Sequence, residues 1–102
     1  MADLHQSKLL SVEDAILFVL ERYWDPLHLP NEVMRRGAYA SFVAPVREAL
    51  AGNPSAESLA AFLQAIKVKY FGVIAFPQTR ERRAARKLLE IDLHLDGNNG
   101  KH

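Results

Sequence analysis

From Val12 onward, apolar side chains return every three or four residues. Val12, Ala15, Ile16, Val19, Leu20 and Tyr23 follow the i, i+3, i+4, i+7, i+8, i+11 spacing of one helical face, and Leu17 and Phe18 widen it. Glu13, Asp14, Glu21 and Arg22 keep the other side wet. Ser11 is placed to cap this helix, with Asp14 three residues on approximating a capping box and Leu10 before it as a hydrophobic staple. The spacing predicts a helix over residues 12–24. Pro26 ends it, because the proline ring disfavours the right-handed α region for Asp25. Trp24, the only tryptophan, is expected to bury roughly 150–250 Å² and to need an acceptor for its indole N–H. Asp25 is expected to turn the chain, its carboxylate capping nearby N–H groups.

The same period returns three more times. Tyr39, Phe42, Val43, Val46 and Leu50 predict a helix over residues 39–51, preceded by a connector in which Asn31 caps a short turn that Gly37 ends. Pro45 lies inside that pattern and fits if the helix starts near Ser41, where first-turn N–H groups have no intrahelical partner; an earlier start implies a kink. Gly52, Asn53 and Pro54 stop it. Leu59, Phe62, Leu63, Ile66 and Tyr70 predict a helix over 56–71, capped by Ser55 and closed by Gly72. Ala84, Ala85, Leu88, Leu89 and Ile91 predict a last helix over 80–92, capped by Thr79. An all-α, compact four-helix single domain over residues 1–92, with a flexible tail over 93–102, is the fold expected. The paths of residues 25–38 and 72–79 are left open.

Composition narrows the function classes. The 102 residues are 49% hydrophobic and 25% charged, proportions of an ordinary globular domain. A net charge of +1 gives no bulk attraction to nucleic acid or membrane, so any basic patch is local. Without cysteine there is neither a disulfide nor a thiolate site. Residues 1–10 lack the apolar run of a secretion signal, and no stretch approaches the ~20 apolar residues of a membrane span. A cytoplasmic protein with no membrane association is expected.

Catalytic signals are absent from the pattern. His5, His28, His94 and His102 are not paired with other ligand-type side chains at helical metal-site spacing, the five glycines are scattered, and Ser41 and Thr79 read as caps. No enzyme activity, cofactor or metal is expected. One feature goes against a helix rule: Arg80, Arg82 and Arg83 crowd the first turn of the last helix, where the macrodipole is already positive. With Arg86 and Lys87 they form a basic arc, offset in part by Glu81 and Glu90. Phe18, Leu27, Leu29, Val73, Ile74 and Phe76 fall outside the strict apolar stripes and form a candidate partner-binding surplus.

With these landmarks the chain resembles the YugE-like proteins, a group of small bacterial helical domains with no established activity. The resemblance rests on Trp24-Asp25-Pro26-Leu27, Tyr39 with Phe42, Leu59 with Phe62-Leu63 and Phe71-Gly72, and Ala85 with Leu88-Leu89. It spans roughly residues 12–91 and implies a helical fold, with Trp24, Asp25, Pro26, Leu27, Tyr39, Phe42 and Gly72 as structural or partner-binding positions. The chain departs from the group where acidic residues are usual: Gly37, Ala38 and Ala40 surround Tyr39, and Lys67 and Lys69 stand late in the third helix. The functional expectation is a non-enzymatic protein-interaction module, an adaptor or an immunity-type protein, whose partner the sequence leaves open. The alternative is an anion or nucleic-acid binder acting through Arg80, Arg82, Arg83, Arg86 and Lys87.

Overall fold

The computed structural model describes residues 11–73 and 79–93, and every regular element among them is helical. Helix α1 (Val12–Val19) opens on Ser11, whose hydroxyl accepts the Asp14 N–H at 3.0 Å. It runs without a break into a π turn, Leu20–Trp24, closed by the Asp25 N–H on the Leu20 carbonyl at 2.9 Å. Such widened turns are rare and frequent at functional sites. This one carries Trp24 into the core and leaves Arg22 exposed.

Asp25 leaves the right-handed α region, as Pro26 requires, but enters the left-handed one (φ 31°, ψ 64°). Asp tolerates this region better than most residues, and here its carboxylate holds the corner. Asp25 Oδ1 accepts the Leu29 N–H at 3.2 Å and the Tyr39 hydroxyl at 2.6 Å. The Tyr39 oxygen accepts the Leu27 N–H at 3.1 Å in turn.

The second rod is longer than its apolar pattern. Helix α2 (Glu32–Tyr39) is capped by Asn31, which accepts the Met34 N–H at 2.9 Å. A 3-10 turn, Ala40–Phe42, joins it to α3 (Val43–Ala51). The expected start at residue 39 is therefore corrected to Glu32, and Gly37 interrupts nothing. A glycine inside a helix costs only about 1 kcal/mol relative to alanine, and the Glu32–Arg36 pair (3.2 Å) and the Tyr39 anchor offset that. Pro45 enters in the first turn of α3, and the 3-10 joint just before it supplies the irregularity that its missing N–H demands.

Helix α4 (Ala56–Phe71) begins on Ser55, which accepts the Ser58 N–H at 3.0 Å, and ends on Gly72 in the left-handed conformation (φ 66°). Helix α5 (Thr79–Leu89) has Thr79 as its first described residue. It ends earlier than residue 92. Glu90 and Ile91 donate to the Lys87 and Leu88 carbonyls, and Leu93 packs half-buried against the core. Residues 94–102 lie outside the described ones.

The core draws on all four rods: Val12, Ile16, Val19, Leu20 and Trp24; Tyr39, Val43, Val46 and Leu50; Leu59, Ala60, Leu63 and Ile66; Ala84, Ala85 and Leu88. Helices α4 and α5 pack most extensively, α1 lies on α3, and the π turn touches both α2 and α5. Two stripe members depart from expectation: Tyr70 is 58% exposed, and Leu89 is also largely outside.

Candidate functional site

Trp24 is the centre of the interior, with no exposed surface. Its ring lies 5.6 Å from Tyr39, 6.2 Å from Phe71 and 6.5 Å from Phe42, centroid to centroid, in tilted or edge-on arrangements that aromatic quadrupoles favour. The indole N–H finds its acceptor in Glu81 Oε2 at 3.1 Å, and Lys67 Nζ reaches the same oxygen at 2.9 Å. Both charged side chains are buried. The junction ties the π turn, α4 and α5 together at one atom.

This overturns one sequence-level expectation. Glu81 does not offset the basic arc, because it points inward. Lys67, one of the two lysines late in α4, is its buried counter-ion. The helical arrangement explains this: the buried Ala84, Ala85 and Leu88 define the inner face of α5, and Glu81 lies on it one turn earlier. The only signal in the sequence was a carboxylate at the register of the apolar face.

A second paired corner involves Glu21 and Tyr39. Glu21, buried, receives Arg36 Nε at 3.1 Å, and this contact raises the Arg36 pKa above the ordinary arginine value. Burial, followed by the hydrogen bond to Asp25, pushes the Tyr39 hydroxyl well above the usual tyrosine range, so it stays protonated and donates. Arg35 donates to the Leu29 carbonyl at 2.9 Å. Arg35 and Arg36 are thus occupied at the α2 corner, while Lys8 lies outside the described residues.

Two surface concavities flank this interior. The larger, about 510 Å³, is an apolar groove between the start of the α3 rod and the end of α4, lined by Ser41, Phe42, Pro45, Phe62, Ala65, Ile66, Lys69 and Tyr70. Ser41, Pro45 and Ala65 are small, and they leave space between the rings of Phe42, Phe62 and Tyr70. Phe42 forms the link to the core, 5.3 Å from Tyr70 and 5.5 Å from Phe71. Lys69 Nζ lies 5.3 Å from the Tyr70 ring centre. Of the expected apolar surplus, Leu27 is exposed, Phe18, Leu29 and Val73 are half-buried, and Ile74 and Phe76 lie outside the described residues. None of them lines this groove, whose Phe42, Phe62, Ile66 and Tyr70 were assigned to stripes.

The smaller hollow, about 280 Å³, is lined by Arg22, Tyr23, Thr79, Arg80 and Arg83. Arg80 Nη1 donates to the Trp24 carbonyl at 3.1 Å, and the Arg22 guanidinium carbon lies 5.2 Å from the Phe18 ring centre. The five cations expected as one patch are therefore divided. Arg80 and Arg83 converge with Arg22, which sequence reasoning placed on the wet side of α1. Lys87 sits over the Tyr23 ring (5.4 Å) and 4.0 Å from Glu90. Arg82 and Arg86 are exposed and line neither concavity.

The remaining candidates are quickly placed. His28 is exposed in the turn after Pro26 with φ 51°, and His5, His94 and His102 lie outside the described residues. Among the described residues no group of three or more His, Asp or Glu is arranged to hold a metal ion, and no helix is long and apolar enough to cross a membrane. Compared with known protein families, curated proteins and solved structures, the chain gives no match.

Proposed function

We propose that this protein is a non-enzymatic interaction module, an adaptor or an immunity-type protein of the bacterial cytoplasm, and that it binds its partner in the groove between α3 and α4. The observation that carries the reading is the groove itself: Phe42, Pro45, Phe62, Ile66 and Tyr70 line an open depression whose only charged lining residue is Lys69. A ring as exposed as Tyr70, beside two further aromatics, is the kind of apolar anchor that partner binding uses. The occupant that fits is an amphipathic helix of a partner protein. Its apolar side chains seat among the three rings, and an acidic side chain faces Lys69. Kinship with the YugE-like domains, carried by Trp24-Asp25-Pro26-Leu27, Tyr39 and Phe42, belongs to the same reading. Of those residues Phe42 lines the groove, and Trp24 packs behind it at 6.5 Å.

The test is site-specific photo-crosslinking in the native cell from Ser41 and Ala65, with Arg82 on the basic arc as control. A discrete adduct from both groove positions and none from Arg82 supports the reading. The purified partner then binds a Tyr70→Glu variant at least about tenfold more weakly, since that change removes an apolar anchor and buries a charge. Adducts of equal yield from all three positions, or unchanged binding to the variant, overturn it. A toxin encoded next to this protein marks the immunity role, and a metabolic operon marks the adaptor role.

A further inference from the structure

We propose that the hollow between the π turn and the start of α5 binds a terminal phosphate dianion, held by Arg22, Arg80 and Arg83 with the Thr79 hydroxyl. The site is independent of the apolar groove, with which it shares no lining residue. Three guanidinium groups line one depression of about 280 Å³, and among the described residues no carboxylate lines it with them. Two arginines elsewhere do carry acids: Arg36 has Glu21 and Glu32, and Arg47 has Glu13. The one acid in the first turn of α5, Glu81, is turned into the core by Lys67 and Trp24. The positive charge of the hollow is consequently unbalanced from within, and its walls focus that charge on whatever enters.

The three arginines are prepared to different degrees. Arg80 is held in place by the Trp24 carbonyl through one Nη, which leaves its remaining donors for a ligand. Arg22 rests against the Phe18 ring. Among the described residues Arg83 makes no hydrogen bond or ion pair, so it is free to close on an anion. Two placed groups and one movable one lower the ordering cost of binding, and the planar fork of each guanidinium matches phosphate oxygens. Convergence on one point favours a doubly charged terminal phosphate over the singly charged phosphodiesters of a duplex. Those would draw equally on Arg82 and Arg86 along the outer arc.

The experiment titrates the full-length, isotopically labelled protein with inorganic phosphate, phenyl phosphate and a short DNA duplex. The readout is the arginine side-chain NMR signals, with sodium chloride at matched ionic strength as the control. The proposal expects saturable shifts at Arg22, Arg80 and Arg83 with phosphate or phenyl phosphate, absent with chloride, and little change at Arg82 and Arg86. Saturation by phenyl phosphate at lower concentration than by phosphate identifies an ester as the ligand, and the reverse order identifies the free ion. Arg83→Gln, which removes no contact that holds the fold, weakens binding about tenfold, the scale of a lost charge-assisted contact, while Arg82→Gln changes it less than about twofold. Non-saturating shifts shared by all five arginines, or tighter binding of the duplex with equal loss in the two variants, overturn the proposal.

Discussion

Two sides of a single helical turn follow opposite electrostatic rules. On the inner side of α5, Glu81 meets Lys67 and the Trp24 indole, and every partner is a buried polar group. On the outer side, Arg80, Arg82 and Arg83 stand without a carboxylate among the described residues, against the sign of the helix dipole. The contrast shows where charge is matched of necessity. A buried charge without a partner costs several kcal/mol, whereas a hydrated one costs almost nothing beyond a few tenths. Apart from the Arg80 bond to the Trp24 carbonyl, the outer excess therefore does not serve folding, which is what makes the basic hollow a candidate for binding.

The sharpest way to break this comparison is Glu81→Ala. It removes the carboxylate from buried Lys67 and the acceptor from Trp24, and stability by urea unfolding is expected to fall by about 3–5 kcal/mol. Most single domains hold only about 5–15 kcal/mol in total, so the variant is close to unfolding at moderate temperature. A double change, Lys67→Met with Glu81→Leu, recovers a large part of that loss because it removes both charges together. A double variant no better than Glu81→Ala would show that the pair is more than mutual compensation. Trp24→Ala is expected to cost a similar about 3–5 kcal/mol through the cavity it leaves.

Tyr39→Phe is the next largest. The Leu27 N–H loses its acceptor and Asp25 loses its hydroxyl donor, for an expected cost of about 1–3 kcal/mol. The variant also has a pH signature. Burial and Asp25 raise the folded-state pKa of Tyr39 above the unfolded value, so the protonated form is the one that folding favours. Its stabilising contribution is intact below about pH 10 and declines as pH rises from there toward the folded-state value. The difference in stability between wild type and Tyr39→Phe should therefore shrink above about pH 10; a constant difference from pH 8 to 11 would remove the hydroxyl–carboxylate account.

Smaller effects sharpen the outer side. Gly37 lies in α2 with nothing within 4 Å of an added Cβ, so Gly37→Ala should stabilise the protein by about 0.4–1 kcal/mol. Arg82→Gln and Arg83→Gln are expected to leave stability within about 0.5 kcal/mol of wild type. A loss as large as that of Glu81→Ala in either would mean that the outer arginines do hold the fold, and would end the distinction between the two sides.

The sequence by itself determined the local events. Ser11 and Ser55 cap the helices they were read to open, Asn31 caps a helix where a short turn was expected, Pro26 ends the first rod after Trp24, and Gly72 adopts the left-handed closure. All of these depend on groups within a few residues of one another, so the chain carries them wherever it is folded. Tertiary structure decided the rest. Trp24 and Glu81 are 57 residues apart, and no local pattern distinguishes a carboxylate that will meet them from one that will meet water. The continuation of the second rod back to Glu32 overrode Gly37 because distant Glu21 and Asp25 anchor Arg36 and Tyr39. The groove exists because Ser41, Pro45 and Ala65 are small where two rods face each other, and the hollow because a π turn brings Arg22 beside α5. Both are spaces between elements, and a space between elements is a property of their packing, not of any one stretch of residues.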